Sequence, residues 1–170
     1  VCALVSAMGA FHLAPAVVSY LACDSEVPTD WIHRRVTASA RPLFLPQGDG
    51  GVGFVRWQPP APLERGPRPV HGIAGDSPLP AEMLADAFVL VPLLGWDEHG
   101  RRLGRGGGFY DRALAGRARR RTLVGLGYES QRCDQVPTGP LDVALDYVVT
   151  ERRVVWCRPT APAQSAPNSN

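Results

Sequence analysis

The sequence is short of the features that would send a chain to a membrane, a metal cluster or a polyanion. It has no run of about eighteen apolar residues, so no membrane-spanning helix is expected. Val1 to Ser6 carries none of the basic residues that open a secretory signal, which leaves the cytoplasm as the expected compartment. Charge of one sign is also scarce. A net charge of +2, with 20% of residues charged, gives no basic face for nucleic acid. Cys2, Cys23, Cys133 and Cys157 show no CxxC or Cys/His spacing, which argues against a zinc site or a disulfide framework and for buried or idle thiols. His12, His33, His71 and His99 are equally isolated.

What is present is ordinary globular material: 170 residues, 45% of them apolar, enough for one core and too few for two. We expect a single α/β domain over residues 1–157 and a disordered tail over 158–170, where Pro, Ala, Ser and Asn show no hydrophobic repeat.

Short β-branched and apolar runs read as buried strands at Ala16–Ala22, Arg41–Pro46, Ala87–Leu94, Thr122–Tyr128 and Ala144–Thr150. Gly51–Trp57 reads as a further strand, at an edge. A helix is expected before Ala16. Trp31, Ile32 and Val36 recur at helical spacing behind Thr29 or Asp30 as cap, Pro80–Ala85 reads as a helical turn, and Tyr110–Arg121 as a helix with a basic end. Gln58–Leu79 is broken by proline and glycine into a long connection. Strand and helix alternate, which implies a mostly parallel sheet with ligands gathered beyond the carboxyl ends of its strands. Arg117 and Arg119 to Arg121, at the predicted helix end, are assigned no function.

The stretch "RRLGRGGGFYDRAL", Arg101 to Leu114, stands out because four of the five residues from Gly104 to Gly108 are glycine. A strand followed by such a turn and a helix gathers free backbone N–H groups around one concavity, where the absence of Cβ atoms lets a phosphate touch the backbone. Each charge-assisted hydrogen bond there is worth about 1.5 to 3 kcal/mol. Arg102 and Arg105 add planar guanidinium groups suited to phosphate oxygens. Asp111 would meet like charge beside a polyphosphate unless a divalent cation lay between them, which makes it a candidate Mg²⁺ ligand. The pattern is neither G-x-x-x-x-G-K-[ST] nor G-x-G-x-x-G, so by itself it leaves a tight structural turn open as the alternative. Asp97 and Gly100 fit the first and last positions of a type I turn.

"VPLLGWDEHGRRLGRGGGFYDRAL" resembles the signature of the 5-formyltetrahydrofolate cyclo-ligase family, also called methenyltetrahydrofolate synthetases. The similarity extends to "SYLACDSEVPTDWI", "RPLFLP", "VGLGYESQ" and "VPTGPLDVALDYVVTE", from about Val17 to Val155. It implies a three-layer α/β/α sandwich with a mostly parallel central sheet. It also implies a ligase that converts 5-formyltetrahydrofolate to 5,10-methenyltetrahydrofolate, with ATP as co-substrate and Mg²⁺ as cofactor; from charge and hydropathy we expect no nucleic-acid or membrane partner, and we expect a monomer.

Carried over by position, the resemblance implies ATP contacts from Arg102, Leu103, Gly104, Arg105, Gly106, Gly107, Gly108, Phe109 and Tyr110. It implies folate contacts from Leu21, Glu26 and Arg105 to Phe109, with Arg105 catalytic and Asp111 and Asp142 as the Mg²⁺ ligands. On residue pattern alone Asp142 reads as a turn-capping acid after Pro140, and Glu26 as an exposed loop acid. Family members open with a helix carrying Lys and Arg that reach the phosphates, whereas the first Lys or Arg here is Arg34; Asp76 also stands where the family usually has Pro. The departures keep a non-catalytic folate or nucleotide binder open as the alternative. A phosphate-binding enzyme of another class on a similar fold, such as a sugar-phosphate isomerase, is the third.

Overall fold

The computed structural model describes residues 1–48, 51–59, 72–75, 77–116 and 121–157. The expected tail, Arg117 with Arg119 and Arg120, His71 and Asp76 lie outside the described residues, as does much of the Gln58–Leu79 connection.

In chain order the elements are α1 (Cys2–Ala7), α2 (Gly9–Leu13), β1 (Val17–Val18), α3 (Asp30–Ala38), β2 (Leu43–Pro46), β3 (Phe54–Trp57), α4 (Ala81–Leu84), β4 (Phe88–Pro92), β5 (Gly95–Trp96), β6 (Arg102–Leu103), α5 (Phe109–Ala113), β7 (Thr122–Leu126), β8 (Tyr147–Val149) and β9 (Val154–Trp156). Seven strands form one sheet in the order β3-β2-β1-β4-β7-β8-β9. Its five inner strands are parallel to their neighbours, and β3 and β9 close the two edges antiparallel. The protein therefore has an α/β fold with a mostly parallel sheet.

The inner strands read as continuous apolar runs because both faces are covered. Phe88 to Val91 are fully buried, and β4 pairs with β7 through five residues, from Phe88 opposite Thr122 to Pro92 opposite Leu126. From β1 the chain winds to β2 at one side, then crosses to β4 and winds outward through β7 and β8 on the other. Right-handed crossovers in opposite directions put α3 and α5 on opposite faces, and the switch falls between β1 and β4.

The fold differs from expectation at four points. The ladder of the first strand is only Val17–Val18; the Ser19 amide still donates to the Phe44 carbonyl (2.9 Å) while its hydroxyl meets the buried His33 ring (3.0 Å), and the chain then turns into the loop that carries Glu26. The helix expected over Tyr110–Arg121 ends at Ala113, and Gly116, at φ +79°, takes a left-handed conformation that no helix continues through. The strand β9 and the small hairpin of β5 and β6 were missed, being two or three residues long and flanked by charge. Thr29 does precede α3, but its hydroxyl donates to the Tyr20 carbonyl (2.7 Å) rather than capping the helix.

Candidate active site

A cavity of about 270 Å³ opens at the carboxyl ends of β1 and β4, where the strand order reverses. It is lined by the end of β4 (Pro92 to Leu94), by every residue from Arg102 to Asp111, and by Glu26, Pro137 and Asp142. The sequence-predicted residues thus come together from three separate segments, with one exception. Leu21 is half-buried against a small apolar cluster of Leu45, Val55 and Ile73, away from the cavity lining.

The inner wall is held by Arg102. Its Nη2 donates to Asp111 Oδ1 at 2.6 Å, and its Nη1 donates to the Val143 carbonyl. The Val143 amide returns a hydrogen bond to the same Asp111 oxygen at 3.0 Å. Arg102 is only 8% exposed, so one guanidinium ties β6, α5 and the loop before β8 into a rigid corner. Asp111 Oδ2 accepts no hydrogen bond among the described residues. Asp142, next to Val143 in the chain, accepts the Gly139 amide at 2.8 Å through Oδ2 and is exposed at the rim. The turn read for Asp142 from the residues is therefore present, and the same side chain lines the cavity.

Arg105 crosses the mouth. Its Nε donates to Glu26 Oε1 at 3.2 Å, and its Nη2 donates to Asp24 Oδ2 at 2.9 Å and to the Cys23 carbonyl at 3.1 Å. Glu26, 8% exposed, also accepts the Cys23 amide through Oε2 at 2.9 Å. The Glu26 and Asp24 carboxylates push the Arg105 guanidinium up from its ordinary value. Asp24 is a site neighbour that the sequence did not give away; its φ of +51° marks the tight turn that carries it.

Between the two arginines the glycine loop lies open: a Cβ at Gly104 or Gly106 would meet nothing within 4 Å. Gly108, at φ +59°, starts α5, and the Gly107 carbonyl is held by Arg112 Nη1 at 2.8 Å. With α5 only five residues long, its dipole is slight, and the positive field of the loop comes from guanidinium and local N–H groups. Phe109 packs edge-on to Phe54 at 5.7 Å between ring centres, which anchors the loop to β3. The Tyr110 hydroxyl is buried without a hydrogen-bond partner among the described residues. Burial, and then the charge of Glu26, push this phenol far above its ordinary value, so it remains protonated.

Chemically the cavity offers backbone and guanidinium donors for an anion and two carboxylates for a hard cation. Among the described residues no group of three or more His, Cys, Asp or Glu could hold a metal unaided. A cation bound through Asp111 and Asp142 needs further oxygens from its ligand, as Mg²⁺ bound to phosphates has. No helix among the described residues is long and apolar enough to cross a membrane.

Comparison with known proteins agrees with this geometry. The sequence profile of the 5-formyltetrahydrofolate cyclo-ligase family matches residues 2–151. A 5-formyltetrahydrofolate cyclo-ligase of Escherichia coli K12 is 30% identical over 149 residues, covering 84% of this chain and 81% of that protein. One of Mycolicibacterium smegmatis is 42% identical over 76 residues, 44% of this chain and 39% of that protein. Among solved structures, a 5,10-methenyltetrahydrofolate synthetase of Aquifex aeolicus superposes with a TM-score of 0.75 at 24% identity, covering 99% of this chain and 85% of that one.

Proposed function

The chain belongs to the 5-formyltetrahydrofolate cyclo-ligase family, and from that premise we propose that it converts 5-formyltetrahydrofolate to 5,10-methenyltetrahydrofolate with ATP and Mg²⁺, releasing ADP and phosphate. The observation that carries the proposal is one cavity at the strand switch into which Glu26, the open glycine loop, Arg102, Arg105, Asp111 and Asp142 all face.

A formamide oxygen is a poor leaving group. Transfer of the γ-phosphoryl to that oxygen gives an imidate-like phosphate; N10 then attacks the carbon, the ring closes and phosphate departs. The protein's task is to place two reactants and to neutralise charge as it develops. The Glu26 carboxylate suits the amino and ring N–H donors of a pterin. Open glycine backbone with Arg102 and Arg105 suits the triphosphate, and Arg105 at the mouth lies between the two ligands' places.

Among the described residues, the charged groups lining the cavity are three carboxylates, Glu26, Asp111 and Asp142, against two guanidiniums, Arg102 and Arg105. A triphosphate would enter an already acidic site, so a divalent cation is required electrostatically. Asp111 and Asp142 present the hard oxygen donors that suit Mg²⁺, and Asp111 has an oxygen open to it; bound there, the cation would offset phosphate charge.

The test is formation of a product absorbing as methenyltetrahydrofolate, dependent on both ATP and Mg²⁺. Asp111→Ala is expected to lower kcat/KM by about 10²-fold or more, as loss of a group that offsets transition-state charge does. Full activity in that variant overturns the metal assignment. Tight folate binding by the wild type without product would select the non-catalytic reading.

A further inference from the structure

The two arginines of the site are held differently. Arg102 is buried, bound at 2.6 Å to Asp111 and fastened to a backbone carbonyl. Arg105 is 26% exposed, its bond to Glu26 is 3.2 Å, and its Nη1 makes no hydrogen bond among the described residues. The carboxylate it leans on is the group that, in the function proposed above, receives the pterin. A pterin amino group and ring N–H present a donor pair of the same shape as a guanidinium edge, so pterin and Arg105 compete for one carboxylate.

We propose that Arg105 is an exchangeable bridge that couples the two substrates: folate takes the Glu26 carboxylate, the guanidinium is released to the nucleotide phosphates, and each substrate raises the affinity for the other. Asp24 and the Cys23 carbonyl are the positioning groups that keep Arg105 at the mouth during the exchange, since both bind Nη2, while Nε, which holds Glu26, turns inward once that carboxylate is taken. Exchange strands no charge here, because the pterin donors replace the guanidinium at Glu26, which is 8% exposed, while the phosphates replace Glu26 at Arg105. Coupling of this kind is reciprocal in the binding constants. The inference rests on the proposed function, and its test separates the two.

Titration calorimetry with the magnesium salt of a non-hydrolysable ATP analogue, with and without saturating 5-formyltetrahydrofolate, reads the coupling directly. In the wild type, folate is expected to tighten nucleotide binding by about fivefold or more, and the nucleotide to tighten folate binding equally. Glu26→Gln removes the competing charge, so with no folate present this variant binds the nucleotide more tightly than the wild type, close to the folate-saturated value. Asp24→Asn removes the same charge but leaves the Glu26–Arg105 pair, and retains the coupling. Arg105→Lys loses the coupling, because an ammonium cannot serve both sides of the mouth. Independent binding of the two ligands in the wild type, or unchanged or weaker nucleotide binding in Glu26→Gln, overturns the exchange while leaving the proposed function intact. Failure to bind either ligand overturns the function itself.

Discussion

The hairpin of β5 and β6 has acids at both ends of its reach, and the two ends treat them in opposite ways. At the turn, Asp97 is fully buried and spends its carboxylate on backbone: Oδ1 accepts the His99 and Arg101 amides at 2.9 and 3.1 Å, and Oδ2 accepts the Val136 amide at 3.0 Å. At the open end, Asp111 and Glu26 each hold a guanidinium side chain beside a cavity. A carboxylate saturated by amides is fixed for the life of the fold. One held by a side chain at a cavity can be given to a ligand.

The sharpest way to break this comparison is through its glycines. Gly100 has φ +78°, and a Cβ there would lie 2.3 Å from the Leu145 carbonyl oxygen, in a backbone held close by the Leu145 amide donating to the Gly100 carbonyl. Gly100→Ala is expected to destabilise the protein by about 4 kcal/mol or more, from strain and a backbone clash together. Gly104→Ala meets empty space and is expected to stay within about 0.5 kcal/mol of the wild type while weakening nucleotide binding. Urea midpoints and nucleotide titrations of the two variants check this; equal loss of stability in both would erase the distinction.

A middle-sized effect comes from His33, buried behind the Glu26 loop against Ser19. Burial lowers its pKa from 6.5 to about 4. The unfolded chain therefore takes up this proton first: the contribution is complete above about pH 6.5 and is lost as pH falls to about 4, a loss of about 3 kcal/mol from this group. His33→Gln should flatten that part of the acid limb in pH-dependent denaturation, and an unchanged limb would show that the ring titrates normally.

The smallest effect should come from Glu98, adjacent to Asp97 in the chain but 50% exposed, paired with Arg132 at 3.0 Å. Glu98→Gln is expected to change stability by less than about 1 kcal/mol, with the difference shrinking at high salt. A larger loss would mean that exposed ion pairs fix this hairpin as firmly as its buried acid.

Much of the frame could be read before any coordinates, for reasons specific to its residues. Phe88 to Val91 and Leu43 to Leu45 are buried on both faces, so their apolar runs carried the signal of inner strands unmixed with polar positions. The glycine stretch pointed to an anion-binding concavity, with a tight structural turn as the alternative, and in the fold it lines the cavity. Asp142 and Glu26 were different: each sits in a loop, and only family resemblance marked them, since a loop acid looks alike whether it faces solvent or a cavity. The short hairpin and β9 were hidden by their length, two or three residues giving no periodicity. Asp24 was invisible because its role depends on Arg105, which the fold brings to it from far along the chain.

That distance has a consequence for how the site comes into being. Arg105 and Glu26 are separated by 79 positions, and they meet only once β1 and β4 lie side by side. Closure of so long a loop must precede any gain from the contact, and slow, non-local pairing is typical of parallel sheets. During synthesis the Glu26 loop emerges well before its guanidinium partner, and no early intermediate can hold a finished mouth. Ligand-binding competence should therefore appear at the end of refolding rather than alongside the first secondary structure.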